Sequence, residues 1–262
     1  MILDEIVAFK RQEIEKAKQN KSLLKLKRLA LRSKGRNHLL MRVLSQEKKL
    51  HLICELKKAS PSAGTLRKHF NPRVLTRNFE EAGASAISVL TEKRYFEGNV
   101  SILRQVRSQT KLPILRKDFI VDPYQVYETA ILGANAILLI VLLIKKDEEL
   151  KDMIQLADSL GLDVLVEAHT KKELERALKA GSKLFGLNNR NLETLKIDSS
   201  CAEKLIQYIP KKITIVVESG IETREDIIRY QSLGIRCFLI GTALMKAKNA
   251  QKKIRELNGE IV

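Results

Sequence analysis

From residue 51 onward the chain alternates, eight times over, between a short run of apolar and β-branched residues and a longer segment with helical spacing. The runs fall at 51–57, 85–91, 112–116, 135–141, 162–167, 183–188, 213–218 and 236–241. Near-continuous apolar runs of this length mark strands buried on both faces, and helices between them make the sheet parallel. The segments 72–82, 123–132, 147–160, 171–180 and 223–233 read as helices and carry their own boundary signals. Asn71-Pro72 and Asp122-Pro123 place a capping side chain before a first-turn proline, and Gly83, Gly133, Gly161, Gly181 and Gly234 stand just past the ends. Eight such units in one chain favour a closed barrel over an open doubly wound sheet. No G-x-G-x-x-G follows the first run, which removes the main argument for a dinucleotide-binding fold. The expected architecture is α/β, a (β/α)8 TIM barrel over 49–262 with an N-terminal helical extension over 1–48, forming one domain across 1–262.

The extension is where the charge concentrates. The chain has 48 Lys/Arg against 31 Asp/Glu, a surplus of 17. Residues 1–50 hold 14 of the former and 5 of the latter, so the remaining 212 residues carry a surplus of only eight. Leu3, Val7 and Ile14, then Leu23, Leu26 and Leu29, then Leu40, Val43 and Leu44 recur at helical spacing, so the basic residues read as the solvated face of short amphipathic helices. Their apolar spacing suggests that these helices pack over the barrel. No RNA-binding or helix-turn-helix signature accompanies the charge. Aromatics make up 5% with no Trp, a poor supply of stacking platforms, so no nucleic-acid partner is expected. A small anionic substrate would profit from the same positive field.

The longest apolar run, 136–144, is nine residues, about half of the ~20 a membrane-spanning helix needs. Asp4 and Glu5 stand where a secretory signal would be basic, and Cys54, Cys201 and Cys237 lie far apart with no C-x-x-C. The expectation is a cytoplasmic protein with no membrane partner, no disulfide framework and no metal site.

In a barrel the chemistry sits at the C-terminal ends of the strands. Here five of the eight ends carry ionisable or amide groups: Glu55 and Lys57, Lys117, Glu167, Asn188 with Arg190, and Glu218. Converging Lys and Glu side chains suit acid–base work on a carbonyl compound. The last two strands close on Ser219-Gly220 and Gly241-Thr242, where barrels commonly seat a phosphate against backbone N–H groups.

These residues resemble a known family. The stretch from Glu55 to Gly64, Glu-Leu-Lys-Lys-Ala-Ser-Pro-Ser-Ala-Gly, looks like the E-x-K-x-x-S-P-S-x-G signature of the indole-3-glycerol-phosphate synthases. Similar blocks follow at 88–92, 95–98, 115–119, 188–192 and 218–221, so the likeness runs from Ile2 to about Arg255. The family's members are (β/α)8 barrels with an N-terminal helical extension, and the resemblance implies that these helices cover the substrate. The resemblance implies ring closure, decarboxylation and dehydration of 1-(2-carboxyphenylamino)-1-deoxyribulose 5-phosphate to indole-3-glycerol phosphate, carbon dioxide and water, in tryptophan biosynthesis, without a cofactor. Some relatives are fused to a second barrel; this chain has no room for one. A monomer or a weak homodimer is expected.

By position, Lys117 matches the family's proton donor to the C2′ oxygen. Lys57 matches the lysine that contacts the substrate carboxylate and acts as acid in dehydration. Glu55 and Glu167 are the bases, in either order. Asn188 orients substrate hydroxyls, Arg190 and Glu218 are polar partners in the site, and Ser60, in the first loop, caps or orients the site and binds substrate. Phe96 and Phe119 form the walls around the aromatic ring, and Ser219, Gly220, Gly241 and Thr242 take the phosphate. Where some relatives offer a Trp from the N-terminal helices this chain has none; Phe9 is either its substitute at the mouth or an ordinary packing residue. Two lysines in one partly desolvated pocket should have at least one pKa lowered, with the substrate's anions pulling the other way. The rival enzyme reading is a Schiff-base aldolase with Lys117 as nucleophile, which leaves the E-x-K-x-x-S-P-S block unexplained.

Overall fold

Eight parallel strands close on themselves in the computed structural model, which describes residues 2–33, 37–46 and 48–260. They are β1 (His51–Leu56), β2 (Ala86–Leu90), β3 (Ile114–Lys117), β4 (Ala136–Ile140), β5 (Asp163–Ala168), β6 (Leu184–Asn188), β7 (Thr214–Glu218) and β8 (Cys237–Ile240). Each pairs with its neighbours in sequence, and β8 returns to β1 with Cys237 opposite His51. The strands match the expected runs to within a residue or two. The apolar run beyond β4 turns instead into a 3₁₀ segment, Val141–Leu143, because apolarity marks burial and not where a strand stops.

Helices cover the outside, among them Pro72–Glu81, Pro123–Leu132, Asp147–Ser159, Lys171–Lys179 and Arg224–Gln231. Their starts are chemical. Asn71 Oδ1 accepts from the N–H groups of Arg73 and Val74, and Asp122 Oδ1 from Tyr124. Gly133 ends Pro123–Leu132 at φ +88°, a conformation that penalises any side chain.

Along a strand, alternate residues face inward. On β1 the inward series runs Ile53 then Glu55, on β3 Leu115 then Lys117, on β5 Leu165 then Glu167, on β7 Val216 then Glu218. The first of each pair belongs to a fully buried apolar cluster; the second stands at the mouth.

The extension comprises α1 (Ile2–Asn20), α2 (Leu23–Arg32) and α3 (Leu39–Leu44), and its helices go to different places. α3 plugs the bottom: Leu40 and Leu44 join the cluster of Ile53, Ala86, Leu184 and Cys237, and Asp163 accepts the Met41 N–H at 3.1 Å. α2 lies along helix Pro123–Leu132, burying Leu26 and Ala30 while Leu24 and Leu31 stay exposed. Only α1 reaches the mouth, so the expectation that the whole extension covers the substrate narrows to this helix. No helix among the described residues is long and apolar enough to cross a membrane.

Candidate active site

The C-terminal strand ends surround a cavity of about 300 Å³, and every residue expected at the site lines it except Ser60. Ser60 is buried in a short ribbon, Ala59–Ser60 paired with Gly64–Thr65, and faces a smaller adjoining cavity between the first loop and α1. Ser62 is the serine of that loop tied to the ionic centre, its Oγ accepting from Arg190 Nη1 at 3.2 Å. Phe96 and Phe119 form one wall, ring centroids 6.3 Å apart and tilted by 42°. Phe9 lines neither cavity. It sits beneath the Arg94 guanidinium, 5.7 Å from ring centroid to Cζ, which makes it a packing residue; Leu3 and Ile6 are the α1 side chains that approach Phe96 and Phe119.

Three carboxylates and three cations interlock in the mouth. Lys57 Nζ lies 2.8 Å from Glu55 Oε2. Lys117 Nζ lies 3.1 Å from Glu218 Oε2 and 3.6 Å from Glu167 Oε2. Asn188 Nδ2 donates to Glu167 Oε1 at 3.0 Å, and Asn188 Oδ1 accepts the Arg190 N–H at 2.9 Å. Glu55, Glu167 and Glu218 are 3% exposed or less, so their charges must be met inside the protein.

Lys117 is not the lysine on which the expected lowering falls. Burial alone would lower its pKa, but the pull of Glu218, Glu167 and Glu55 prevails and holds it above the ordinary lysine value. The group that moves toward neutrality is instead Glu218, which burial and the neighbouring Glu167 and Glu55 push up to about 7 against the pull of Lys117. Glu55 goes the other way: despite complete burial, Lys57, Lys117 and Arg190 hold it below the usual carboxylate range.

Glycine has a second use here. A Cβ on Gly241 would collide with the Glu55 carboxylate, and one on Gly186 with Glu218 Oε1, so both strands leave room for an acid to lean across them. Gly241, expected to serve the phosphate, also accommodates Glu55. At the end of β7, Ser219 (φ +65°) and Gly220 (φ +73°) are consecutive left-handed residues that turn the chain over the cavity.

Two sets of residues escape the sequence reading. His169 stands two places after Glu167, with Nε2 at 3.3 Å from Glu167 Oε1 and Nδ1 at 3.7 Å from Glu173 Oε2. A lone histidine past a strand end is a usable signal, but it matches no motif. The other set is Lys10 of α1, Asp118 and Arg116. Lys10 Nζ lies 3.0 Å from Asp118 Oδ1, and Arg116 Nη2 3.1 Å from Asp118 Oδ2, which also accepts from Thr91 Oγ1 at 2.6 Å. Asp118 adjoins Lys117, so this buried clasp fixes α1 to the strand end that carries the lysine. Nothing in the spacing of residues so far apart could reveal it.

The indole-3-glycerol phosphate synthase family model matches residues 3–257. Proteins named indole-3-glycerol phosphate synthase are similar over nearly their whole length. That of Endomicrobium trichonymphae is 42% identical, covering 98% of this chain and 99% of its own. That of Caldanaerobacter subterraneus subsp. tengcongensis is 44% identical, covering 97% and 99%. That of Legionella pneumophila (strain Paris) is 44% identical, covering 98% of each. Among solved structures, a 3-hexulose-6-phosphate synthase superposes with a TM-score of 0.62 at 13% identity over 81% of this chain and all of its own, a likeness of fold alone. A thiamine phosphate pyrophosphorylase from Pyrococcus furiosus gives 0.59 at 18% over 86% and 96%. The signature from Glu55 to Gly64, the interlocked charges at the strand ends and the end-to-end match agree: the chain belongs to the indole-3-glycerol phosphate synthase family.

Proposed function

We propose that this chain closes the indole ring of 1-(2-carboxyphenylamino)-1-deoxyribulose 5-phosphate, with Lys117 as the acid of ring closure. The aromatic carbon bearing the carboxylate attacks the C2′ ketone, and the carbonyl electron pair goes to oxygen, which takes a proton from Lys117. The bond to the carboxylate then breaks, carbon dioxide leaves, and its electron pair restores the ring. Finally the C2′ hydroxyl departs as water while a carboxylate takes a proton from C1′, giving indole-3-glycerol phosphate.

The observation that carries this reading is the Lys117 ammonium held between Glu218 and Glu167 at the cavity mouth. Charged nitrogen donates; it does not attack a carbonyl. A Schiff-base aldolase needs a neutral amine, and three carboxylates favour the charged form. Lys57 meets the substrate carboxylate and supplies the dehydration proton, and Glu55 and Glu167 are the proton acceptors. Phe96 and Phe119 flank the aromatic ring, Asn188 and Arg190 orient the sugar, Glu218 partners Lys117, and Ser60 supports the first loop. Ser219, Gly220, Gly241 and Thr242 receive the phosphate at the ends of β7 and β8. Holding the substrate at both charged ends folds its ring over its ketone, an entropic task that fixed geometry performs. Free cysteines at 54, 201 and 237 suit the reducing cytoplasm.

The test is the indole fluorescence that develops when the purified protein meets the substrate. Borohydride trapping of a covalent substrate adduct on Lys117 would instead establish the aldolase reading.

A further inference from the structure

The ring closure proposed above consumes a proton. The substrate carboxylate leaves as neutral carbon dioxide, two protons are given to oxygen, and one returns from C1′, so one proton must enter the site in every turnover. Glu55, Glu167 and Glu218 are all buried, and a substrate seated in the cavity would stand between them and solvent. A proton that enters while the substrate is bound has to pass through the protein wall, and one route lies beside β5.

The inner end of this route is Glu167. Its Oε1 is shared between Asn188 Nδ2 at 3.0 Å and His169 Nε2 at 3.3 Å, and its Oε2 faces Lys117 Nζ at 3.6 Å. The outer end is Glu173, in the first turn of helix Lys171–Lys179, with Oε2 at 3.7 Å from His169 Nδ1. The His169 ring thus bridges a carboxylate that is 1% exposed and one that is 13% exposed. Both ring nitrogens are sealed from solvent, and among the described residues neither is engaged in an aligned hydrogen bond. Glu173 is itself held in place by the His169 N–H at 2.8 Å, so the two ends of the bridge are fixed to each other.

We infer that His169 is the positioning residue through which the consumed proton enters, passing from Glu173 to Nδ1 and from Nε2 to Glu167, which returns it to the lysine facing it. The charged imidazole loses its Nε2 proton to Glu167, the ring rearranges to free Nδ1 as acceptor, and a proton arriving through Glu173 recharges it there. The ring thus ends each turnover as it began, and no reactant beyond the solvent proton is needed. The groups that face it are Glu167 near the end of β5, Glu173 on the following helix and Glu218 on β7, with Lys117 beyond them; the thiol of Cys201 donates to its carbonyl oxygen at 3.8 Å. Burial would lower its pKa, but those three carboxylates hold it above the ordinary histidine value, which keeps the bridge charged and ready near neutral pH.

The experiment is steady-state turnover of the full-length protein, followed by indole fluorescence across neutral and alkaline pH, for His169→Gln and Glu173→Gln. Glutamine at 169 can still bond to both carboxylates but cannot carry a proton. His169→Gln should lower kcat by about tenfold, increasingly so as pH rises, with KM little changed and a larger solvent deuterium isotope effect. Glu173→Gln should shift kcat in the same direction, and it decides the matter if the histidine variant fails to fold. A His169→Gln enzyme with the parent kcat and isotope effect at alkaline pH overturns the route, as does a Glu173→Gln enzyme indistinguishable from the parent. Failure of the parent protein to form any indole product would instead refute the ring-closure reading on which the route rests.

Discussion

The two ends of the barrel are lined by the same strands, two residues apart. At the bottom, Ile53, Leu115, Leu165 and Val216 meet Leu40 and Leu44 of α3 in dry apolar contact. At the mouth, Glu55, Lys117, Glu167 and Glu218 face one another across a cavity. Burial is as complete for these carboxylates as for the leucines beneath them. What differs is what each end needs. The bottom gains from excluding water, whereas the mouth holds charge that is tolerable only because every acid has a cation within reach. Stability and chemistry are thus separated along the barrel axis and not around it.

The strongest test of that separation is Lys117→Met, which keeps length and loses the proton. It should lower kcat by about 10²–10⁴ with a smaller change in KM, while Lys57→Met should lose a larger share in substrate affinity. A Lys117→Met enzyme with near-normal kcat and a raised KM would make Lys117 a binding group and move the acid to Lys57 or to a protonated carboxyl. At the other end, Leu40→Ala should destabilise the protein by about 2–5 kcal/mol in denaturant unfolding, leaving kcat unchanged wherever the variant is folded. A fall in kcat there would show that the ends are coupled. Thr242→Ala, at the rim proposed for the phosphate, should weaken substrate binding by roughly 1.5–3 kcal/mol, one hydrogen bond to a charged acceptor, with no effect on thermal unfolding.

The smallest effect is electrostatic. Glu218 titrates near 7 in the folded chain against 4.5 as its ordinary value, so the native state holds that proton more tightly than the unfolded chain does. Its stabilising contribution is complete below the lower value and is lost as pH rises through the upper one. The unfolding free energy of the substrate-free protein should carry this downward slope, at most about 1.4 kcal/mol per pH unit, with Tm falling alongside, and Glu218→Gln should flatten it.

The barrel was legible because parallel strands buried on both faces announce themselves as apolar runs, and helix caps such as Asn71 and Asp122 are local chemistry. The strand-end acids and lysines were legible for the same reason: a charge closing an apolar run is conspicuous. The balance of those charges was not. Whether Lys117 is lowered by burial or raised by acids depends on Glu218 and Glu167 lying on opposite strands, a three-dimensional fact. The extension was half legible. Its helices follow from their spacing, but that α3 closes the bottom while α1 reaches the mouth rests on pairs such as Lys10 with Asp118 and Met41 with Asp163, which no periodicity encodes.

Those pairs also impose a timetable on synthesis. Lys18 of α1 grips Asp122 across 104 residues of chain, Met41 docks on Asp163 across 122, and Cys237 reaches the Leu44 carbonyl across 193. At about 5–20 residues per second, the partner of Lys18 emerges from the ribosome roughly 5–20 s after Lys18 itself. The first helices made therefore wait for partners made much later, and until those emerge the apolar stripes of α1 and α3 have nothing to pack against on the nascent chain.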